Sequence, residues 1–320
     1  MTLAAPTLDA VRAARERIKA GAVRTPLIPM EVDGGARVHL KLENLQPIGS
    51  FKIRGALNRI LSAPREALAE GVYTASAGNM AQGVAFAARS LGISASVFVP
   101  DSAPRTKTDA VARLGATVVP VPYDEWWQIM RDGGRAGTRG FFVHPFAHTD
   151  VMAGNGTIAL EIFEDCPDVD AVLVPWGGGG LTCGIAAAMR ALKPSVRVYA
   201  CEVDGAAPLT ASLAAGKAVE IQNRKTFIDG IGGRGVFPDM WPLARELVAG
   251  ALVVTERQVA DAVALMVQRA HVVPEGAGAA PLAAAICSRL EPAPKRIVCV
   301  VSGGNIDTTV LATILAGTLP

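Results

Sequence analysis

Lys52 lies in the run Ser50-Phe51-Lys52-Ile53-Arg54-Gly55-Ala56, at the start of a helical pattern. Far down the chain four consecutive glycines, Gly177 to Gly180, follow an apolar run and precede another apolar helix pattern. Each feature alone is ordinary, because most lysines are solvated and glycine-rich turns are common. Together they describe one chemistry. A lysine amine can form a Schiff base with an aldehyde, and glycines let backbone N–H groups close around a phosphate at a helix N-terminus. Pyridoxal phosphate carries both groups, and it opens chemistry at Cα and Cβ of amino acids. A dinucleotide site would need Gly-x-Gly-x-x-Gly after the first strand and an acidic residue further on, and this spacing does not match.

Two more turns have the same strand-to-helix setting. Ser76-Ala77-Gly78-Asn79-Met80-Ala81-Gln82-Gly83 offers a hydroxyl, two carboxamides and backbone N–H groups around one point. That set suits a carboxylate, with Asn79 also able to reach a cofactor oxygen; the plainer alternative is a helix N-cap at Ser76 or Asn79. Ser302-Gly303-Gly304-Asn305 follows the apolar run 296–301, and its hydroxyl can face a pyridine nitrogen or simply cap a helix. Glu275-Gly276-Ala277-Gly278 and Asp229-Gly230-Ile231-Gly232-Gly233 are weaker, since turn-forming glycine explains both without function. Arg135 and Arg234 can reach such a site, and solvation at the surface is the simpler reading of each.

The elements that must position these residues follow an alternating pattern. Short apolar or β-branched runs at 72–75, 95–99, 117–121, 171–175, 197–201, 252–254 and 296–301 alternate with helical periodicity, the mark of a parallel α/β architecture. Helices are expected over 8–20, 51–61, 80–91, 104–114, 151–163, 181–191, 256–270, 276–289 and 306–315. Thr255 with Gln258 makes a capping box for one of them. At 320 residues with 50% apolar content, the chain is long enough for its core to divide. We expect a small lobe of residues 56–146, carrying the asparagine turn, set into a larger cofactor-binding lobe of residues 1–55 and 147–320, with the site between them.

Bulk properties exclude several classes. The net charge is +2 with dispersed charges, which gives no footprint for nucleic acid. No apolar run approaches the roughly 18 residues of a membrane span, and the N-terminal stretch lacks the basic-then-apolar order of a signal peptide. The five cysteines are scattered and form no Cys-x-x-Cys pair, as expected of free thiols in a reducing cytoplasm. His144 and His148 are four apart, but Pro145 argues against a helix presenting both to a metal.

As an ordered set, Ser-Phe-Lys-x-Arg-Gly-Ala, Ser-Ala-Gly-Asn, the four glycines and Ser-Gly-Gly-Asn resemble the fold-type II pyridoxal-phosphate enzymes of the serine/threonine dehydratase and serine racemase family. The resemblance runs from Arg24-Thr25-Pro26-Leu27 to Asn305. It implies a two-lobed, tryptophan synthase β-like α/β fold with parallel sheets flanked by helices. On matching positions it implies Lys52 as the Schiff-base lysine, Phe51 against the cofactor ring, and Gly177, Gly178, Gly179 and Gly180 as the phosphate loop. It also implies Asn79 at the 3′ oxygen and Ser302 at the pyridine nitrogen. Ser76, Asn79 and Gln82 would hold the substrate carboxylate, with Gly232 beside the bound amino acid.

Three positions depart from the family pattern. Racemases of this family carry a second serine where Ala77 stands, and alanine is usual in the dehydratase branch. Met80 replaces a frequent histidine. Glu202 matches one ligand of a divalent-cation site found in some members, but the later carboxylate position is Pro208, with Asp204 as the substitute; a divalent cation is left open. The activity implied is β-elimination of water and ammonia from a β-hydroxy amino acid, L-threonine or L-serine by default. Alternatives are 3-hydroxyaspartate, a β-aryl serine such as phenylserine or a hydroxyectoine-pathway intermediate as substrate, a β-replacement synthase, and an idle pyridoxal-phosphate binder. A cytoplasmic homodimer is expected by resemblance. The sequence ends one helix pattern after Asn305, so no appended regulatory domain is expected.

Overall fold

The computed structural model describes residues 3–32 and 36–320. In chain order its strands are β1 (Leu27–Met30), β2 (Arg37–Lys41), β3 (Val72–Ala75), β4 (Ala95–Pro100), β5 (Thr117–Val121), β6 (Phe141–Phe142), β7 (Ala171–Pro175), β8 (Arg197–Val203), β9 (Gly250–Val254) and β10 (Arg296–Val300). The helices are α1 (Leu8–Ile18), α2 (Lys52–Leu61), α3 (Asn79–Leu91), α4 (Arg105–Arg113), α5 (Tyr123–Asp132), α6 (Thr149–Asp165), α7 (Gly180–Leu192), α8 (Pro208–Ala215), α9 (Trp241–Leu247), α10 (Glu256–Leu265), α11 (Gly276–Cys287) and α12 (Thr308–Leu315).

Two sheets result. One has six strands in the order β1-β2-β10-β7-β8-β9, and the other has four in the order β5-β4-β3-β6. Only the β1–β2 pair is antiparallel; Leu27 faces Lys41 and Met30 faces Val38. In the larger sheet β7 pairs with β8 from Ala171 opposite Arg197 to Pro175 opposite Cys201, and every residue of β7 is buried. That burial on both faces is why the strand reads as an unbroken apolar run and not as an alternation.

All seven strand runs read from the sequence are strands, three with the expected ends (β3, β5, β7) and the others displaced by one or two residues. The Thr255–Gln258 capping box is present at the start of α10. The pattern over 256–270 is interrupted: α10 stops at Leu265 and the next turn, Met266–Ala270, is a π-helix. The helix expected from residue 306 starts at Thr308, where Asp307 accepts from the Thr309 N–H. Elements that the pattern did not announce are β1, β2, β6, α5, α8 and α9. The missed strands lie at sheet edges or carry charge, as in Arg37-Val38-His39-Leu40-Lys41, where Lys41 is nevertheless fully buried.

Lys41 belongs to an ionic cluster beneath α2. Arg54 donates from Nε to Glu43 Oε2 at 2.7 Å and from Nη1 to Glu161 Oε1 at 2.7 Å. Its Nη2 reaches Glu43 Oε1 at 2.8 Å and Glu161 Oε2 at 3.0 Å. Lys41 Nζ donates to the same Glu161 oxygen at 2.5 Å, and Thr25 Oγ1 donates to Glu43 at 2.6 Å. Two cations balance two carboxylates, and Lys41, Glu43, Arg54 and Glu161 are each no more than 4% exposed. Burial disfavours the charged guanidinium, but Glu43 and Glu161 outweigh it and hold the Arg54 pKa above its ordinary value. The arginine of the Lys-x-Arg motif is therefore a structural tie between α2, the segment after β2, and α6.

Replacing it leaves two buried carboxylates with a single cation, Lys41 on Glu161, and none on Glu43. Arg54→Met is expected to destabilise the protein by about 3–5 kcal/mol, the usual cost of removing one partner from a buried ion pair. Urea denaturation measures this; a loss below about 1 kcal/mol would show that the carboxylates find other partners.

Candidate active site

Turns after three parallel strands meet at one cleft. β3 leads into Ser76–Asn79, β7 into Gly177–Gly180, and β10 into Ser302, all at the carboxyl ends of their strands, where ligands bind in open parallel sheets. Lys52, the first residue of α2, enters the same cleft beside Phe51. The cavity measures about 400 Å³, within the usual range of small-molecule sites.

The Lys52 amine donates to the Pro145 carbonyl at 2.8 Å. Burial disfavours its charged form and pushes its pKa down to about 8, against an opposing pull from Glu275. An amine so placed has a larger neutral, nucleophilic fraction near neutrality than a solvated lysine and is mostly uncharged above about pH 8.

The glycine loop is a cradle with no room for side chains. A Cβ on Gly178 would fall 2.3 Å from the Phe146 ring, and one on Gly180 would fall 2.7 Å from the Phe146 carbonyl oxygen. Gly179 has φ of +87° and precedes α7, whose first-turn N–H groups have no carbonyl one turn back within the helix. Pressed between Phe146 and Trp176, this loop can offer only backbone to the cleft, which is what a phosphate requires.

Asn79 starts α3. Its Nδ2 donates to Glu275 Oε1 at 2.9 Å and Oε2 at 3.1 Å, and its Oδ1 accepts from Asn305 Nδ2 at 2.7 Å. Ser302 is 2% exposed, and its carbonyl accepts from the Phe51 N–H at 3.0 Å, tying this corner to the lysine segment. Ser76 Oγ accepts from the Gly78 N–H at 3.3 Å, so the hydroxyl shapes its own turn while lining the cleft. Gly232, with φ of +110°, lines the opposite side.

Most of the residues singled out in the sequence therefore share this cleft: Phe51, Lys52, Ser76, Asn79, the four glycines, Gly232 and Ser302. Gln82 does not line it; it sits one turn into α3, with its N–H bonded to the Gly78 carbonyl. Glu202 is no open cation ligand. Its carboxylate accepts from the Leu209 and Thr210 N–H groups, both at 2.8 Å, and from Thr210 Oγ1 at 2.7 Å, capping α8. Asp204 is engaged as well, with Arg224 and the Glu256 N–H. Among the described residues no group of three acidic, histidine or cysteine side chains could hold a metal ion. His144 is buried with Nδ1 accepting from the Phe146 and Ala147 N–H groups; burial pushes its pKa down to about 3, so its ring is neutral.

Three features escaped the sequence reading. Glu275, set aside as part of a glycine turn, is 7% exposed and lies in the cleft wall. Arg234 lines the cleft, with its guanidinium 4.9 Å from the Tyr123 ring centroid, whereas Arg135 pairs with Glu125 outside it. Tyr123, Trp126 and Trp127 of the unannounced α5 form one wall, and Trp127 meets Phe237 edge-on at 5.4 Å. The cluster of aromatic residues at 123–127 was the available signal for that wall.

The architecture and this cleft define a fold-type II pyridoxal-phosphate enzyme. The family model described as pyridoxal-phosphate dependent enzyme matches residues 18–303, and the chain belongs to that family. It is 44% identical over 287 residues to an L-threonine ammonia-lyase of Geobacter sulfurreducens, covering 88% of this chain and 70% of that one. An L-threonine ammonia-lyase of Thermotoga maritima is 40% identical over 316 residues, covering 97% and 78%. Among solved structures, maize serine racemase superposes with a TM-score of 0.89 at 32% identity, covering 98% of both chains. The residues present fit the family's cofactor: a sheltered amine, a backbone-only cradle, and polar groups from Asn79 and Ser302 in one cavity of suitable volume.

The environment of Lys52 makes a direct prediction. In competitive acetylation of the cofactor-free protein, read by peptide mass mapping, Lys52 should label with a midpoint near pH 8, set by its lowered pKa of about 8. Reactivity should rise with pH because only the neutral amine reacts. A midpoint no lower than that of the solvated lysines would contradict the desolvation described here.

Proposed function

We propose that this chain is a pyridoxal-phosphate-dependent ammonia-lyase that removes the β-hydroxyl and the amine of L-threonine, with L-serine as a second substrate, to give a 2-oxo acid and ammonia. The observation that carries this is the Lys52 amine facing the same cavity as the glycine cradle and the Ala77-containing turn. The named activity of the Geobacter and Thermotoga relatives supports the choice of substrate.

The cofactor, when bound, takes up the substrate amine at its aldehyde carbon and withdraws the electron pair left on Cα. The chain's own residues do the rest. Ser76 and the backbone N–H groups of the turn ending at Asn79 hold the substrate carboxylate, which orients the Cα–H bond. Lys52 would receive the Cα proton on Nζ, and its burial, by lowering the pKa to about 8, enlarges the neutral fraction available for this task. The glycine loop holds the phosphate with backbone dipoles, and the Ser302 hydroxyl, a weak acid, leaves the pyridine nitrogen unprotonated. With the electron sink weakened in this way, loss of the β-hydroxyl would compete well against processes that need a long-lived carbanion. The hydroxyl departs as water with a proton equivalent to the one Lys52 removes from Cα, and hydrolysis of the resulting enamine would release ammonia and the 2-oxo acid. Ala77 lines the cleft with a methyl group where a racemase would present a hydroxyl, so position 77 has no acid to return a proton to the other face of Cα, and the Ser76 hydroxyl is assigned to the carboxylate. Met80, 1% exposed, packs into the core around β3 and lines the cleft beside it, narrowing the space near the turn.

Two experiments test the reading. The cofactor-loaded protein should release 2-oxo acid and ammonia from L-threonine, and Lys52→Ala should lower that rate by at least about 10³-fold, as expected when a proton-transferring nucleophile is lost. Turnover retained in Lys52→Ala would move the base elsewhere. Ala77→Ser should raise the ratio of serine racemisation to elimination, measured by chiral chromatography alongside 2-oxo acid release. An unchanged ratio would refute the role given to the missing hydroxyl.

A further inference from the structure

We propose that Glu275 is a positioning residue whose carboxyl group fixes the Asn79 amide so that one N–H of that amide is always presented to the cofactor's 3′ oxygen. The inference rests on reading the cleft as the cofactor site, and it concerns a residue to which neither the motif pattern nor the elimination chemistry assigns a role.

The geometry points to it through three turns that looked unrelated in the sequence. Glu275 is held by its own backbone, whose N–H donates to the Gly303 carbonyl at 2.9 Å. Its carboxyl occupies space that Gly303 leaves open: a Cβ there would sit 2.6 Å from Oε1 and 3.1 Å from Oε2. Gly230 flanks the same carboxyl, although a Cβ at that position would meet the Ala277 methyl first, at 2.7 Å. A flexible acid in a turn does not need such a socket.

From that socket both oxygens accept from Asn79 Nδ2, at 2.9 and 3.1 Å. Two oxygens of one carboxyl lie on the same side of that nitrogen and share one N–H, which leaves the second N–H free. The carbonyl end of Asn79 is taken by Asn305 Nδ2 at 2.7 Å, and Asn305 is itself anchored on the Ile48 carbonyl at 2.9 Å. The chain Ile48–Asn305–Asn79–Glu275 has a direction. Rotating the Asn79 amide by half a turn would set oxygen against carboxyl oxygens and NH₂ against NH₂, losing both bonds and burying unpaired groups. An acceptor-lined pocket would be wrong for the cofactor oxygen, and this network excludes it.

The charges facing Glu275 come from the elements around it: Lys52 at the start of α2, Lys107 on α4 and Asp229 in the loop beside Gly230. Burial, with Asp229 adding to it, pushes the Glu275 pKa up to about 7, while the Asn79 bond and Lys107 oppose the rise. The positioning does not depend on that ionisation, because a protonated carboxyl keeps an oxygen that accepts from Asn79.

The test follows pyridoxal phosphate itself, not turnover. Cofactor-free wild type, Glu275→Ala, Glu275→Gln, Asn79→Ala and the Glu275→Ala/Asn79→Ala double variant are titrated with pyridoxal phosphate, and affinity and the absorbance of the bound cofactor are recorded. Glu275→Ala should weaken binding about tenfold, the value of one well-oriented hydrogen bond, and shift the absorbance in the same direction as Asn79→Ala. The double variant should be no weaker than Asn79→Ala alone. Glu275→Gln keeps an acceptor oxygen and should restore both affinity and spectrum. Wild-type affinity and spectrum in Glu275→Ala, or losses that add in the double variant, would overturn the proposal, as would a Glu275→Gln that behaves like Glu275→Ala. If Glu275→Ala fails to fold, Asn305→Asp attacks the chain from its other end by setting an acceptor against the Asn79 carbonyl. It should weaken binding and shift the spectrum alike; a folded Asn305→Asp with wild-type behaviour would equally overturn the proposal. A wild type that does not bind the cofactor at all would instead defeat the reading of the cleft.

Discussion

The buried pairing of Arg54 with Glu43 and Glu161 is the interaction on which the site depends. Arg54 stands two residues after Lys52 on α2, so the geometry of its five hydrogen bonds to those carboxylates and Thr157 is also the geometry of the lysine. Four charged groups out of water are expensive unless each finds its partner. Here they do, and the arrangement tolerates one placement of α2 against α6 and the segment after β2. A purely apolar contact at this point would permit sliding. A directional ionic one sets the helix start, and with it the amine, relative to the turns of the larger sheet.

With the lysine placed, water exclusion tunes the site. The same burial acts on two groups of opposite charge type, lowering the Lys52 pKa to about 8 and raising that of Glu275 to about 7. Desolvation raises the neutral fraction of each, and the Lys52 amine bonds the Pro145 carbonyl and not the Glu275 carboxyl. The uncharged amine is what both Schiff-base formation and proton abstraction require. Backbone close approach serves the same end: where a phosphate must meet N–H groups, or a carboxyl must fit between turns, glycine is present because a methyl group would collide with Phe146 or with Glu275.

The wall built by Tyr123, Trp126 and Trp127, facing Phe237 and Arg234, gives the cleft a character that the cofactor alone does not demand. It is carried on the smaller sheet's side, while the cradle and Ser302 are carried on the larger sheet's side. The residues around Cα thus come from turns of both sheets and α2, and the surface that meets the rest of the substrate comes largely from residues outside the recognisable motifs.

What the sequence determined by itself was whatever short-range pattern controls. Fully buried parallel strands are rich in apolar and β-branched residues, so β3 and β7 were legible to the residue, and the valines of the partly exposed edge strand β5 marked it equally well. A loop proposed to hold a phosphate must lack side chains, so Gly177–Gly180 stood out, and Lys52, Asn79 and Ser302 took their proposed roles from the resemblance. Strands such as β2 and β6 were not legible, because their burial depends on partners supplied by distant segments. Glu202 resembled an available ligand until the fold brought the start of α8 onto its oxygens. Gln82 is close to Asn79 in sequence, yet it lies nearly a full turn further along α3 and does not line the cleft. Glu275 and Asn79 are 196 residues apart, and nothing local marks either as the other's partner. Only the tertiary structure could decide that contact, since a hydrogen-bonded network between turns exists in the packing of the two sheets and not in the periodicity of any one segment.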